Sequence, residues 1–210
     1  MSSDEINFIH IPKNAGSTMR DFCNNYNIKY NGHNTNVFEN NLPNQLVILR
    51  DPIERFGSAV FYALEHWSHE PQIKRLINYK IDTPEKWIKI WMDPTHKHHP
   101  LVMHELKNKV LNIGTIKPKY KWTYCEQYFW VNNPKYVIIM DDFNNELKYF
   151  IKNVIGKECD NIKINKKNFT IKTPYTLSLK SIIFLKKIYK NDILLYKTYK
   201  NMHITERLIK

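Results

Sequence analysis

Phe8-Ile9-His10-Ile11-Pro12-Lys13-Asn14-Ala15-Gly16-Ser17-Thr18 decides how the rest of the chain is read. An apolar run of strand character enters a loop with Pro and Gly. Two hydroxyl residues follow, and Met19-Arg20-Asp21-Phe22 opens a helix. Strand, loop and helix N-terminus in that order form an anion cradle, because first-turn N–H groups lack intrahelical acceptors and the helix dipole adds positive charge. Gly16 permits close backbone approach. Ser17 and Thr18 add hydroxyl donors, and Lys13 adds a mobile charge. The plain alternative is an ordinary strand-to-helix turn with a solvated Lys13. The common nucleotide loop needs Gly, four residues, then Gly-Lys-Ser/Thr; here the lysine precedes the glycine.

A second stretch has the same logic. Leu46-Val47-Ile48-Leu49 reads as a buried strand and runs into Arg50-Asp51-Pro52-Ile53-Glu54-Arg55-Phe56-Gly57-Ser58. Asp51 suits an N-cap and Pro52 a first helical position. Arg50 therefore falls at the carboxyl end of a strand, the edge where open α/β sheets bind ligands. Arg55, Ser58 and Tyr62 are spaced to share a helix face. Arg50 with Ser58 is suited to a second phosphate group, the guanidinium acting as a bidentate clamp.

Together the two stretches resemble the sulfotransferases that use 3′-phosphoadenosine 5′-phosphosulfate (PAPS). Ile-Pro-Lys-Asn-Ala-Gly-Ser-Thr is similar to that family's 5′-phosphosulfate loop. Arg-Asp-Pro-Ile-Glu-Arg-Phe-Gly-Ser is similar to its 3′-phosphate motif. The wording is nearest the Golgi carbohydrate enzymes, including the uronosyl 2-O type. The likeness is sharp over 6–66 and thin from 120 to 200.

The resemblance implies an α/β fold, with a central mostly parallel sheet flanked by helices and a P-loop-like strand-loop-helix. It implies that Lys13, Asn14, Ala15, Gly16, Ser17 and Thr18 hold the phosphosulfate, and that Arg50 and Ser58 hold the 3′-phosphate. His33 in Gly32-His33 resembles the general base of related enzymes, and its ordinary pKa suits that task; Glu39 is the fallback, and a surface loop histidine the plain reading. Lys166 or Lys167 in Ile162–Phe169 would close over the cofactor, or stand solvated. Gln127 and Trp130 match a Gln-x-x-Trp segment of the family, and Asp192, Leu195 and Tyr196 its structural C-terminal pattern. The implied reaction moves a sulfuryl group to an acceptor hydroxyl, a carbohydrate first and a phenol or tyrosine otherwise, with no metal.

Size and composition fit one domain spanning 1–210. Hydrophobic residues make up 42% and charged residues 25%, which excludes a disordered chain. Lys plus Arg is 32 against 20 for Asp plus Glu, a net +12. That balance favours anionic partners, but no basic block reads as a nucleic-acid arm, so none is expected. Cys23, Cys125 and Cys159 are widely spaced with no metal-like pairing, which favours free thiols in a reducing compartment over one bridge with a thiol left over. No signal pattern or apolar run of membrane length is visible. The expectation is a soluble, cytoplasmic catalytic domain without a transmembrane segment, native as such or trimmed of an anchor; the sequence leaves the oligomeric state open.

The remaining elements follow from local signals. Strands are expected at 6–11, 28–33, 46–50 and 136–140. Helices are expected at 16–26, 52–67, 70–80, from Pro84 through Trp91, at 143–155 capped by Asp142, and from Thr173-Pro174 onward, its apolar face being Ile182, Ile183, Leu185, Ile188 and Tyr189. Asp93–Pro100 reads as a histidine-rich loop, solvated or beside an acceptor cleft. His98 and His99 cannot easily converge on a metal. Trp122–Trp130 reads as core before it reads as a stacking surface.

Two other functions compete. A P-loop small-molecule kinase would need Gly-Lys-Ser/Thr and a strand-end Asp for magnesium. A non-catalytic binder of nucleic acid or sulfated glycan rests on the charge alone.

Overall fold

The computed structural model describes residues 5–33, 42–108, 118–158 and 175–209. Four short strands form one parallel sheet: β1 (Asn7–Ile9), β2 (Lys29–Asn31), β3 (Gln45–Leu49) and β4 (Tyr136–Ile139), in the order β2-β1-β3-β4. Phe8 lies opposite Tyr30 and Leu46, and Val47 opposite Val137. The fold is α/β, as expected, and every strand pair is parallel.

Alternation along the strands divides the core in two. Phe8, Leu46, Ile48 and Ile138 face α1 (Gly16–Tyr26) and α6 (Phe143–Phe150), through Met19, Phe22, Leu147 and Phe150. Ile9, Val47, Leu49 and Val137 face the other layer. There lie α2 (Pro52–His66), α3 (Pro71–Asn78), α4 (Pro84–Met92), α5 (His99–Lys107), α7 (Leu179–Ile188) and α8 (Lys190–Lys200). Strands covered on both faces must be apolar on both, which is why they read as continuous hydrophobic runs.

Boundaries held closely at several elements. Helix α2 is capped by Asp51, whose Oδ1 accepts from Ile53 N and Glu54 N at 2.8 and 3.1 Å. Thr83 caps α4 by accepting from Lys86 N at 3.3 Å. Other expectations need correction. Asp142 makes no side-chain cap bond; its Oδ1 accepts from Asn145 Nδ2 at 2.7 Å. The helix after it turns from α to π geometry over Ile151–Ile155. Within 93–100 the loop ends at His98, because Pro100 sits in the first turn of α5. The long C-terminal helix starts at Leu179 behind a Ser178 cap and breaks at Tyr189. Ile183, expected on its apolar face, is exposed, whereas Leu185 and Tyr189 are buried. Thr173-Pro174 lies outside the described residues.

A short helix, α9 (Ile204–Leu208), locks the outer strand. Arg207 donates to both Glu146 carboxylate oxygens at 2.7 and 2.8 Å and to the Val137 carbonyl at 3.0 Å. Among the described residues no helix is long and apolar enough to cross a membrane. Cys23 and Cys125 are free and buried, and burial pushes both thiols upward; Cys159 lies outside the described residues.

Candidate functional site

β1 sends the chain through α1 to β2 on one side, and β3 sends it to β4 on the other. Helices α1 and α2 consequently lie on opposite faces. A crevice opens between β1 and β3 at their carboxyl ends, the switch point where doubly wound sheets bind ligands. Here it is a cleft of about 1210 Å³. His33, His10, Lys13 and Ala15–Thr18 line one part, Arg50, Ser58 and Tyr62 the middle, and Met140, Asp141 and Asp142 the far side.

The loop after β1 is built for this place. Lys13 and Ala15 both take left-handed φ, 66° and 57°, which turns the chain sharply into α1. Asn14 is fully buried beneath them: its Nδ2 donates to the Ile48 carbonyl at 2.7 Å and to Gln127 Oε1 at 2.6 Å. Its backbone N–H donates to Ile11 O at 3.2 Å. Asn14 thus anchors the loop from below and does not line the cleft, whereas Ala15, Gly16, Ser17 and Thr18 do. Gly16 is required by a neighbour: a Cβ there would overlap the His10 ring.

Lys13 is not the mobile, solvated cation the sequence suggested. Its ammonium sits over the Tyr62 ring, 3.6 Å from the centroid. Burial, with Arg50 nearby, pushes its pKa down to about 7.

Arg50 is 7% exposed. Its Nη1 donates to the Lys13 carbonyl at 3.3 Å, and Nη2 lies 3.7 Å from Glu54. Nε is buried with no partner among the described residues. Arg50 lines the cleft, and a guanidinium there offers paired N–H donors that suit a phosphate group. Ser58 and Tyr62 face this side, but Arg55 does not share their role. It is buried, donates to the carbonyls of Pro12, Thr123 and Cys125, and lies 3.9 Å from Asp192.

His33 has a defined tautomer. Its Nδ1–H donates to the His10 carbonyl at 3.1 Å, which leaves the lone pair on Nε2. The ring is stacked on Trp122, with centroids 4.6 Å apart, and Trp130 Nε1 donates to the His33 carbonyl at 2.9 Å. Burial, with Arg20 and Lys13 nearby, lowers its pKa against an opposing pull from the His10 carbonyl, so the imidazole is neutral at pH 7. His10 stands behind it at 3.9 Å between centroids, hydrogen-bonded through Nδ1 to the Tyr30 hydroxyl.

Sequence reasoning missed Gln127 as a site organiser, Tyr175 and the left-handed turn. Gln127 matches a family spacing in the sequence, but its hydrogen bonds to Asn14 and Arg50 come from distant parts of the chain. Tyr175 lines the cleft, packs edge-on to Phe61, and fills the space a Cβ on Gly57 would take. The only signal for it was a glycine in mid-helix. Lys166, Lys167 and Glu39 lie outside the described residues. None of the histidines at 96–104 lines the cleft; His98 instead stacks on Tyr79. Trp122 lines the cleft, while Tyr124, Phe129 and Trp130 are core. Among the described residues no three His, Cys, Asp or Glu side chains are grouped to hold a metal. No family model, curated protein or solved structure matches this chain.

Proposed function

We propose that the protein is a sulfotransferase that moves a sulfuryl group from PAPS to an acceptor hydroxyl, a carbohydrate hydroxyl first among the candidates. The observation that carries this reading is Arg50: held at the end of β3, bonded to the Lys13 carbonyl, and lining the cleft that the first turn of α1 also lines. Two anion holders on one cleft suit a nucleotide with phosphate at both the 5′ and 3′ positions.

The chemistry follows from the residues. The sulfuryl group passes in line between two oxygens, as a phosphoryl group does. Amides of the α1 first turn hold the 5′-phosphate, and Arg50 with Ser58 holds the 3′-phosphate. Lys13 neutralises the bridging oxygen as it becomes an anion, a stabilisation made mainly in the transition state. His33 Nε2 accepts the hydroxyl proton.

A kinase reading has one observation in its favour, since Asp141 and Asp142 follow β4 into the same cleft. Asp141, however, already accepts from Tyr196 and from Lys200 at 2.7 Å, so a magnesium ion would have to compete with both. The test is transfer from sulfur-labelled PAPS to a panel of sugars, phenols and tyrosine peptides, with and without EDTA. Label should reach a hydroxyl acceptor at an EDTA-independent rate. ATP-dependent phosphorylation that stops in EDTA and returns with Mg²⁺ would move the assignment to the kinase.

A further inference from the structure

Helices α7 and α8 carry a surface that the cleft does not use. Leu179, Ile183 and Leu194 are 72, 59 and 68% exposed, and they are half of the six exposed large hydrophobic residues among those described. They are not scattered. Ile193 N–H donates to the Tyr189 carbonyl and Tyr189 N–H to the Leu185 carbonyl, so the helical path nearly continues across the break. Along it the spacings 179, 183, 187, 190, 194 and 197 hold one face. Ser181, Leu185, Asp192 and Tyr196 are buried on the opposite face, against the core.

Lysines share the outer face with the aliphatic residues. Lys180, Lys186, Lys187, Lys190 and Lys197 are all exposed. From 175 to 205 the one acidic residue is Asp192, and it is fully buried. The exposed charges of α7 and α8 are therefore all cationic, with three large aliphatic side chains set among them; at the α7 end Glu85 accepts from Ser178 N and Asp93 stands beside Lys180.

We propose that this face docks the protein on an anionic phospholipid surface. Charge complementarity argues for an anionic partner. The aliphatic residues argue for a bilayer over a soluble polyanion, because a glycan or nucleic acid offers Leu179, Ile183 and Leu194 nothing to bury against. A basic helix face with exposed aliphatic side chains takes up both components of a bilayer boundary, headgroup charge and acyl chain. The proposal is independent of what the cleft binds.

The test is sedimentation of the full chain with vesicles of phosphatidylcholine plus phosphatidylserine, against phosphatidylcholine alone. Binding should require phosphatidylserine and weaken with salt. Each of Lys187→Gln and Lys190→Gln should lower partitioning roughly fivefold. Ile183→Ser with Leu194→Ser should lower it on the order of tenfold or more. All four positions are exposed, so circular dichroism should be unchanged. Absence of phosphatidylserine-dependent binding would overturn the proposal. So would loss with the lysine variants but none with Ile183→Ser/Leu194→Ser, together with equal competition by heparin, which would identify a soluble polyanion site.

Discussion

Gln127 grips Arg50 by both backbone groups: its Oε1 accepts from the Arg50 N–H at 3.1 Å and its Nε2 donates to the Arg50 carbonyl at 2.8 Å. The same Oε1 takes Asn14 Nδ2, and the Gln127 N–H donates to Asp192 at 2.7 Å. One buried amide thus holds the strand end that presents Arg50 to the loop that presents Lys13. Gln127→Leu would leave the Arg50 N–H and carbonyl buried without partners, each costing about 1–3 kcal/mol, and would take one of two acceptors from Asn14 Nδ2. Urea unfolding should show a loss of about 3 kcal/mol or more. A loss under about 1 kcal/mol would mean the amide is not the organiser described.

Gly16 and His10 should be coupled. Gly16→Ala forces the His10 ring away, an overpacking cost of about 1–3 kcal/mol. His10→Ala opens that space, so the double variant should recover part of the loss, with a coupling of roughly 0.5–3 kcal/mol. Additive effects in a double-mutant cycle would contradict the contact.

The lowered pKa of Lys13 gives a pH signature. An anion beside Lys13 favours its charged form, so binding 3′-phosphoadenosine 5′-phosphate at pH 7–8 should take up a proton. Affinity should fall as pH rises through about 7. The sign for stability is opposite. Lys13 binds its proton less tightly folded than unfolded, so its contribution to stability rises between pH 7 and its ordinary value of 10.5. Calorimetry in buffers of different ionisation enthalpy measures the uptake, which should vanish in Lys13→Met. No uptake in the parent protein would show that Lys13 does not meet the anion.

His33→Ala should leave nucleotide binding intact and lower turnover roughly 10²–10⁴-fold, the range for a general base. Because its pKa is depressed, the acidic limb of the pH–rate profile should fall below the ordinary histidine value of 6.5 and disappear in the variant. Near-normal turnover with the same profile would make His33 a wall residue of the cleft.

Much of the fold was legible because local signals and burial agreed. Asp51-Pro52 opened a helix, Thr83-Pro84 another, and the apolar runs at β1, β3 and β4 are buried on both faces. The site was legible where chemistry is local, at 13–18 and at Arg50. It was not where partners are distant. Arg55 has the spacing of Ser58 and Tyr62, yet carbonyls contributed 43–70 residues away turn it into the core. Lys13 looked solvated because nothing in its own loop announces the Tyr62 ring. Asp142 looked like a cap, but Asn145 engages its carboxylate in place of the backbone.

The central claim is that Arg50 reads a second phosphate group in the cleft that the Lys13 loop opens. Isothermal titration of the parent protein and Arg50→Ala with 3′-phosphoadenosine 5′-phosphate and with AMP tests it most directly. The parent should bind the bisphosphate at least tenfold more tightly than AMP, the scale of one charge-assisted bidentate pair. Arg50→Ala should erase most of that preference while leaving AMP affinity nearly unchanged. Equal affinity of the parent protein for the two nucleotides would contradict it.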